Sequence, residues 1–346
     1  MDPFIRRRVA KTDFMVTQLG MGGASLGDAR EIFPEPQAEA TLEAAHAAGI
    51  GYFDTSPWYG NGKSELRFGR VLRTKPRDSF VLSTKVGRVY GRPADPDRYA
   101  HPRWLGGLPF EPRFDYSRDG VLKSYEHSLV RLGLNRVDAL LIHDLDPRHQ
   151  KSLEGVARAL DQLSNEGGTR ALADLKARGE IKAIGAGVNH VGMIPRFLER
   201  CDIDFFLVAM PYTLLEQEAL DGELQLCQEK GISIVIGAPF ASGILARGPK
   251  PGALYRYEPA APEIIDKATR IAAVCARHGV PLAAAALQFP FGHPSVVSVI
   301  PGPVTAEEAR LNVAWMRLSI PDALWADLKA ETLIRADAPT PRANYP

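Results

Sequence analysis

Eight short runs of β-branched and aliphatic residues, near positions 16–20, 51–54, 80–85, 139–143, 183–187, 205–209, 232–236 and 296–300, alternate with longer amphipathic stretches. Strands separated by helical connections pair in parallel, with the helices covering the outer face. Eight such repeats predict an α/β chain folded as a (β/α)8 TIM barrel, whose reactive groups sit at the C-terminal ends of the strands and in the loops that follow. Helical segments are expected over 37–48, 120–132, 169–178 and 215–230, each stopped by a glycine: Gly49, Gly133, Gly179 and Gly231.

The 346 residues suit one barrel spanning 1–346 with additions. Residues 5–17 read as an N-terminal β-hairpin plugging the barrel floor, because Lys11, Thr12 and Asp13 separate two short apolar runs. The stretch 87–118, after the third strand, is rich in Pro, Gly, Arg and aromatics and lacks a helical period, so it is expected to be a substrate loop. Residues 337–346, with three prolines, read as an exposed C-terminal tail or arm.

Lys and Arg number 42 against 41 Asp and Glu, for a net charge of +1, and no block of like charge argues for nucleic acid as a partner. No apolar run reaches the roughly 20 residues of a membrane span, and Arg6, Arg7 and Arg8 are not followed by a signal-peptide core, so a cytoplasmic protein away from membranes is expected. Self-association into a homo-oligomer is left open. Cys201, Cys227 and Cys275 are widely spaced and odd in number, which fits buried thiols better than a disulfide framework. His143 and His149 complete no ligand set by spacing, so no metal is expected.

Asp54 ends the second run, Lys85 the third and His143 the fourth, and Tyr59 follows Asp54 by five residues in Trp58-Tyr59-Gly60. A buried lysine needs a partner, and Asp54 on the adjacent strand is placed to supply one. A cation held near Tyr59 is expected to lower the phenol towards a working acid and base, with His143 orienting the reacting oxygen. Gly20-Met21-Gly22-Gly23-Ala24-Ser25 is not a dinucleotide fingerprint, since Ser25 stands where the third glycine is required.

The stretch Phe53-Asp54-Thr55-Ser56 with Tyr59-Gly60 and Ser64-Glu65, then Ser83-Thr84-Lys85, Ile142-His143, Gly185 to Asn189, and Ile300-Pro301-Gly302 with Asn312, resembles the aldo-keto reductase family over nearly the whole chain. The resemblance implies an oxidoreductase whose catalytic tetrad is Asp54, Tyr59, Lys85 and His143, with Glu65 structural. It implies that Gly22 and Gly23 let the backbone, beside Asp54, approach a nicotinamide, and that Asn189 bonds the carboxamide. It places the pyrophosphate at 237–245, through Pro239, Phe240, Ser242, Gly243 and Leu245, and assigns Gly302, Glu308 and Asn312 to the adenosine end. Ala209 replaces the family's usual Gln, and Gly237 its stacking aromatic, with Tyr212 or Phe240 as substitutes.

Gly302, Pro303 and Glu308 stand where relatives that use NADP carry cations, which implies that NAD is preferred, with Arg310 the residue able to rescue NADP. Within the family the chain is most similar to the aldose 1-dehydrogenases, of the D-threo-aldose and L-fucose kind, and to pyridoxal 4-dehydrogenase. The implied partner is a small sugar or pyridoxal-like substrate, a cyclic hemiacetal oxidised to a lactone. Trp58 is expected to stack on it beside Tyr59 and His143, with Tyr90, Trp104, Phe110 and Phe114 able to close over it. The alternatives are an NADPH-dependent aldehyde reductase and a non-enzymatic, cofactor-sensing auxiliary subunit.

Overall fold

A computed structural model describes residues 1–101 and 103–342. Eight parallel strands form the barrel: β1 (Met21–Gly22), β2 (Tyr52–Asp54), β3 (Val81–Val86), β4 (Ala139–Ile142), β5 (Ala183–Val188), β6 (Phe205–Ala209), β7 (Ser233–Gly237) and β8 (Val296–Ile300). The ends of the sheet meet through a parallel bridge between Leu19 and Val299, with Gly22 N–H donating to Pro301 O at 2.9 Å. The first barrel stave therefore begins later than the run at 16–20. Met15–Thr17 instead pairs antiparallel with Arg6–Arg8 as the expected hairpin.

Side chains alternate across each stave. Phe53, Leu82, Leu140 and Ile142 face outward into the helix-covered core, whereas Tyr52, Val81, Ala139, Leu141, Phe205 and Val235 fill the barrel interior. Val9, Phe14 and Val16 of the hairpin close the floor, the Phe14 ring meeting Tyr52 edge-on at 5.7 Å. The same parity turns Asp54, Ser83 and Lys85 inward, above that apolar plug.

Helices Glu35–Ala47, Arg118–Leu132 and Gly168–Ala177 match the expected segments, and Gly49, Gly133 and Gly179 follow them with positive φ. The segment 215–230 is helical only over Glu223–Lys230. Gly222, with φ 97°, breaks the pattern, and upstream the Gln217 amide binds the carbonyls of Thr213 and Leu214 in a closed turn.

Residues 87–118 are not structureless, since Arg88–Gly91 pairs with Glu111–Phe114. The tail is docked rather than exposed over 338–341, while Asp337 and Arg342 face solvent: Ala338 is fully buried, and a side chain at Gly292 would collide with the Pro339 backbone. Positions 343–346 of the expected tail lie outside the described residues. No single helix among the described residues is long and apolar enough to cross a membrane. The three cysteines are unpaired, and burial pushes the Cys227 thiol up to about 12 and that of Cys275 to about 11.

Candidate functional site

A column of polar groups rises from the plugged floor. Tyr52 Oη lies 3.0 Å from Ser83 Oγ, which donates to Asp54 Oδ1 at 2.7 Å. Lys85 Nζ donates to Asp54 Oδ2 at 2.6 Å and to Thr55 O at 2.7 Å. Both members of the ion pair are almost wholly buried. Burial raises the Asp54 carboxyl above its usual range, against the pull of Lys85 and Ser83.

Tyr59 lies in the loop after β2, where Gly60 and Asn61 both adopt positive φ. Lys85 Nζ sits 4.8 Å from the centre of the Tyr59 ring, facing the π-system. The expected lowering of the phenol is not observed. Burial is the largest influence and pushes it well above its ordinary value, with Asp54 adding to the rise. The physical reason is that the enclosed phenol loses the water a phenolate needs, while Asp54 offsets the Lys85 charge that meets the ring face.

His143 follows β4, its ring 5.8 Å from that of Tyr59 and nearly perpendicular to it. Burial holds its imidazole well below the ordinary value, so it is neutral. Ser56 Oγ lies 3.1 Å from its Nδ1, and the Arg88 guanidinium 3.5 Å from the same atom. Ser56 Oγ, which accepts from Trp58 N–H, has a proton and a second lone pair left and can serve Nδ1 in either role. The Arg88 guanidinium can only donate, which favours the imidazole proton on Nε2.

These groups line the deep end of a cavity of about 660 Å³. Trp58 and Trp104 stand edge-to-face at 5.7 Å there. Gly187, Ala209 and Gly237 also line it, and further along come Pro239, Phe240, Ser242, Gly243, Glu308, Asn312 and Trp315. Successive positive φ angles at Ala241, Ser242 and Gly243 aim backbone away from regular pairing, as anion-binding turns do. A small hairpin of Leu254–Tyr255 and Glu258–Pro259 arches across this region. Tyr257 N–H donates to Ser242 Oγ at 3.0 Å, and Tyr257 O accepts from Arg30 on the opposite wall.

That wall is anchored by Arg67 of helix Lys63–Leu72, fully buried and bonded to Asp28, Glu35, Leu26 O and Phe33 O. Asp144, Asp146 and His149 lie close enough together to share a cation. Cations and donors already face them: the Arg88 guanidinium is 2.7 Å from Asp144 Oδ2 as an ion pair without hydrogen-bond geometry, and the Asn189 amide donates to Asp146 Oδ2 at 3.1 Å. A guanidinium at that distance opposes a metal ion.

The family model described as "Aldo/keto reductase family" matches residues 18–331. The chain belongs to the aldo-keto reductase family. It is 40% identical over 343 residues to pyridoxal 4-dehydrogenase of Microbacterium luteolum, covering 95% of this chain and 98% of that one. It is 39% identical to D-threo-aldose 1-dehydrogenase of a Pseudomonas species, covering 96% and 98%. Among solved structures, the holo form of an aldo-keto reductase from Bacillus halodurans superposes with a TM-score of 0.74 at 23% identity, covering 97% and 98%. A glycerol dehydrogenase from Gluconobacter oxydans superposes at 0.70 and 18%, covering 100% and 99%.

Aldo-keto reductases use nicotinamide cofactors, and the residues present fit one. The small side of Ala209 and Gly237 leaves room for a flat ring. Asn189 spends its amide N–H on Asp146, keeping Oδ1 as an acceptor. In this aldo-keto reductase Gly22, Gly23, Asp54, Trp58, Tyr59, Lys85, His143, Asn189, Pro239, Phe240, Ser242, Gly243, Gly302, Glu308 and Asn312 all line the one cavity.

Two expected cofactor residues do not. Tyr212 is fully buried against Phe289 and His293, and Leu245 is buried in the outer core. Both lose the site because the turns after β6 and β7 point those side chains under the helices. Gly23 is required by packing as well as by the cavity, since a Cβ there would meet Ser64 and Phe68. Of the loop aromatics only Trp104 lines the cavity; Phe110 and Phe114 are exposed, and Tyr90 Oη donates to Pro57 O. Arg310 lies off the cavity, whereas Arg247 lines it, 3.6 Å from Glu308. Arg30, Arg88, Arg103, Asp144, Tyr257 and Trp315 are neighbours that strand-end reasoning does not find, because loops bring them in.

Proposed function

We propose that this chain oxidises a cyclic hemiacetal to a lactone with NAD, an aldose such as L-fucose or D-arabinose being the first reading. The observation that carries it is the meeting of Tyr59, the Lys85–Asp54 pair and His143 in one cavity of about 660 Å³. When bound, that cofactor accepts a hydride from the substrate carbon. His143 Nε2–H then orients the hydroxyl oxygen. Tyr59 Oη, as the phenolate, takes the hydroxyl proton and becomes the neutral phenol; Lys85 offsets the phenolate's charge before the transfer, and Asp54 fixes Lys85. Trp58 and Trp104 exclude water and offer flat apolar faces to the ring's C–H groups.

The same aromatic slot favours pyridoxal as the second reading. Pyridoxal is planar, and its own hydroxymethyl group captures the aldehyde as a hemiacetal, so the identical steps apply. Relatives named for each substrate are about equally similar to this chain.

For the cofactor, Gly302, Pro303 and Glu308 place no lysine or arginine of their own beside the adenosine end. Glu308 Oε2 accepts from Val304 N–H at 2.8 Å, keeping a carboxylate where a 2′-phosphate would be repelled. An NADPH-dependent aldehyde reductase would share every proton-handling residue and differ here. A cofactor-sensing auxiliary subunit would have no use for the tetrad.

The test offers each free aldose beside its methyl glycoside, which lacks the hemiacetal hydroxyl. Lactone formation from the free sugar and none from the glycoside supports the reading. Oxidation of the glycoside or of simple primary alcohols at a comparable rate overturns it.

A further inference from the structure

Arg88 is a buried cation beside His143 that the proton chemistry above does not use. Its side chain is 5% exposed and pairs with Asp144, itself 4% exposed, at 2.7 Å. Its guanidinium is layered between two rings, 4.1 Å from the centre of Trp58 and 4.4 Å from that of Phe114. The same group reaches His143 Nδ1 at 3.5 Å. Asp144 Oδ1 lies 3.5 Å from His143 Nε2 on the other side of the imidazole. Arginine and aspartate thus bracket the ring, one at each nitrogen. Burying two charges costs several kcal/mol unless geometry repays it, so a wholly apolar wall would be the cheaper way to support Trp58.

We propose that Arg88, clasped to Asp144 and layered on Trp58, is a positioning residue that holds His143 in the tautomer carrying its proton on Nε2. A guanidinium has only N–H groups to offer, so it cannot accept from a protonated Nδ1 and works against that tautomer. The Asp144 carboxylate, 3.5 Å from Nε2 and not hydrogen-bonded to it, favours the proton there by its charge and leaves that N–H free for the substrate oxygen. Stacking fixes the plane of the Trp58 indole at the same time, so a single residue sets the hydrogen bond that meets the substrate oxygen and the wall beside it. The role rests on the proton chemistry proposed above only for its consequence on turnover; the tautomer itself belongs to the resting protein.

The charged and titratable groups facing His143 are Lys85, Arg88, Asp144 and His149, with Tyr59 at its ring edge. Arg88 and Lys85 oppose protonation and Asp144 favours it. Removing Arg88 while keeping Asp144 therefore makes His143 easier to protonate, and the acid side of the rate profile moves to higher pH.

The test uses the full chain labelled with 15N at histidine, with the His143 signals assigned by their loss in His143→Gln. Arg88→Met is compared with Arg88→Lys and with the double variant Arg88→Met/Asp144→Asn, which leaves no unpaired buried carboxylate should the single change fail to fold. Wild type should show a neutral ring with Nε2 protonated. Arg88→Met and the double variant should show a mixed tautomer or an imidazolium, kcat lower by about 10–100-fold with NAD affinity changed less than about threefold, and the acid limb of Arg88→Met moved upward, whereas Arg88→Lys, still a donor-only cation, should keep more of the Nε2 tautomer than Arg88→Met. A His143 that carries its proton on Nδ1 in wild type, or folded Arg88→Met and double variants with the wild-type tautomer and pH profile, would overturn the proposal. If wild type turns over no hemiacetal but its His143 tautomer responds to Arg88 as described, the reaction assignment fails and the positioning role stands.

Discussion

Lys85 Nζ lies 2.6 Å from Asp54 Oδ2, with the lysine side chain 1% and the aspartate 2% exposed. Such a pair holds together only while both partners are present. Lys85→Met should abolish turnover and destabilise the fold by about 3–5 kcal/mol, because the remaining carboxylate is buried without a counter-ion. The double variant Lys85→Met/Asp54→Asn should recover at least half of that loss while staying inactive. Thermal melts and activity on the same preparations check both halves, and an equally unstable double variant would deny the pairing.

The raised phenol of Tyr59 sets a direction for pH dependence. A tyrosine must be deprotonated to take the substrate's hydroxyl proton, and here burial and Asp54 favour the protonated form. Oxidation should therefore accelerate with pH, about tenfold per unit between roughly pH 7 and pH 9, while the reverse reduction should not. Tyr59→Phe should lower kcat by about a thousandfold and leave NAD affinity within about threefold. A flat oxidation profile would contradict the assignment of Tyr59 as the base.

Arg67 binds the wall of the cavity to its neighbouring helix. Its guanidinium pairs with Asp28 at 2.6 Å, both side chains fully buried, and also reaches Glu35 at 2.8 Å. Arg67→Met should cost about 3–5 kcal/mol in urea unfolding and weaken cofactor binding, since Ser25, Arg30 and Phe33 sit on the segment it ties down. A variant with unchanged midpoint and unchanged affinity would show that the segment is held by other contacts.

Cofactor choice should follow charge at the adenosine end. Gly302→Lys with Glu308→Arg should raise the ratio of kcat/KM for NADP over NAD by about 10–100-fold, one to two charge-assisted hydrogen bonds. Ser25 Oγ would lie 2.5 Å from a Cβ at residue 302, so Ser25→Gly is added to make room. An unchanged ratio would place the discrimination elsewhere, with Arg247 the next cation to remove.

That Asp54, Tyr59, Lys85 and His143 meet is legible because each is tied to a strand end, where period-two alternation decides which side chains face the barrel interior. Asp54, Lys85 and His143 share that register, and Tyr59 is held close by its short link to Asp54. Tyr212 and Leu245 were misplaced because their positions depend on the path of loops after β6 and β7, which no periodicity records. Arg88 and Asp144 look like ordinary loop charges until the β3 and β4 connections bring them together. The Lys85–Asp54 pair is legible in the sequence, but the enclosure of the Tyr59 phenol, which outweighs the pull of Lys85, follows from loops that no periodicity records.

The deciding measurement follows reduced nicotinamide absorbance while purified protein receives NAD or NADP with L-fucose, D-arabinose or pyridoxal, and NADH or NADPH with a simple aldehyde. Turnover of a hemiacetal substrate, faster with NAD than with NADP, is the predicted result. Reduction of aldehydes by NADPH alone, or tight cofactor binding with no turnover of any substrate, would contradict it.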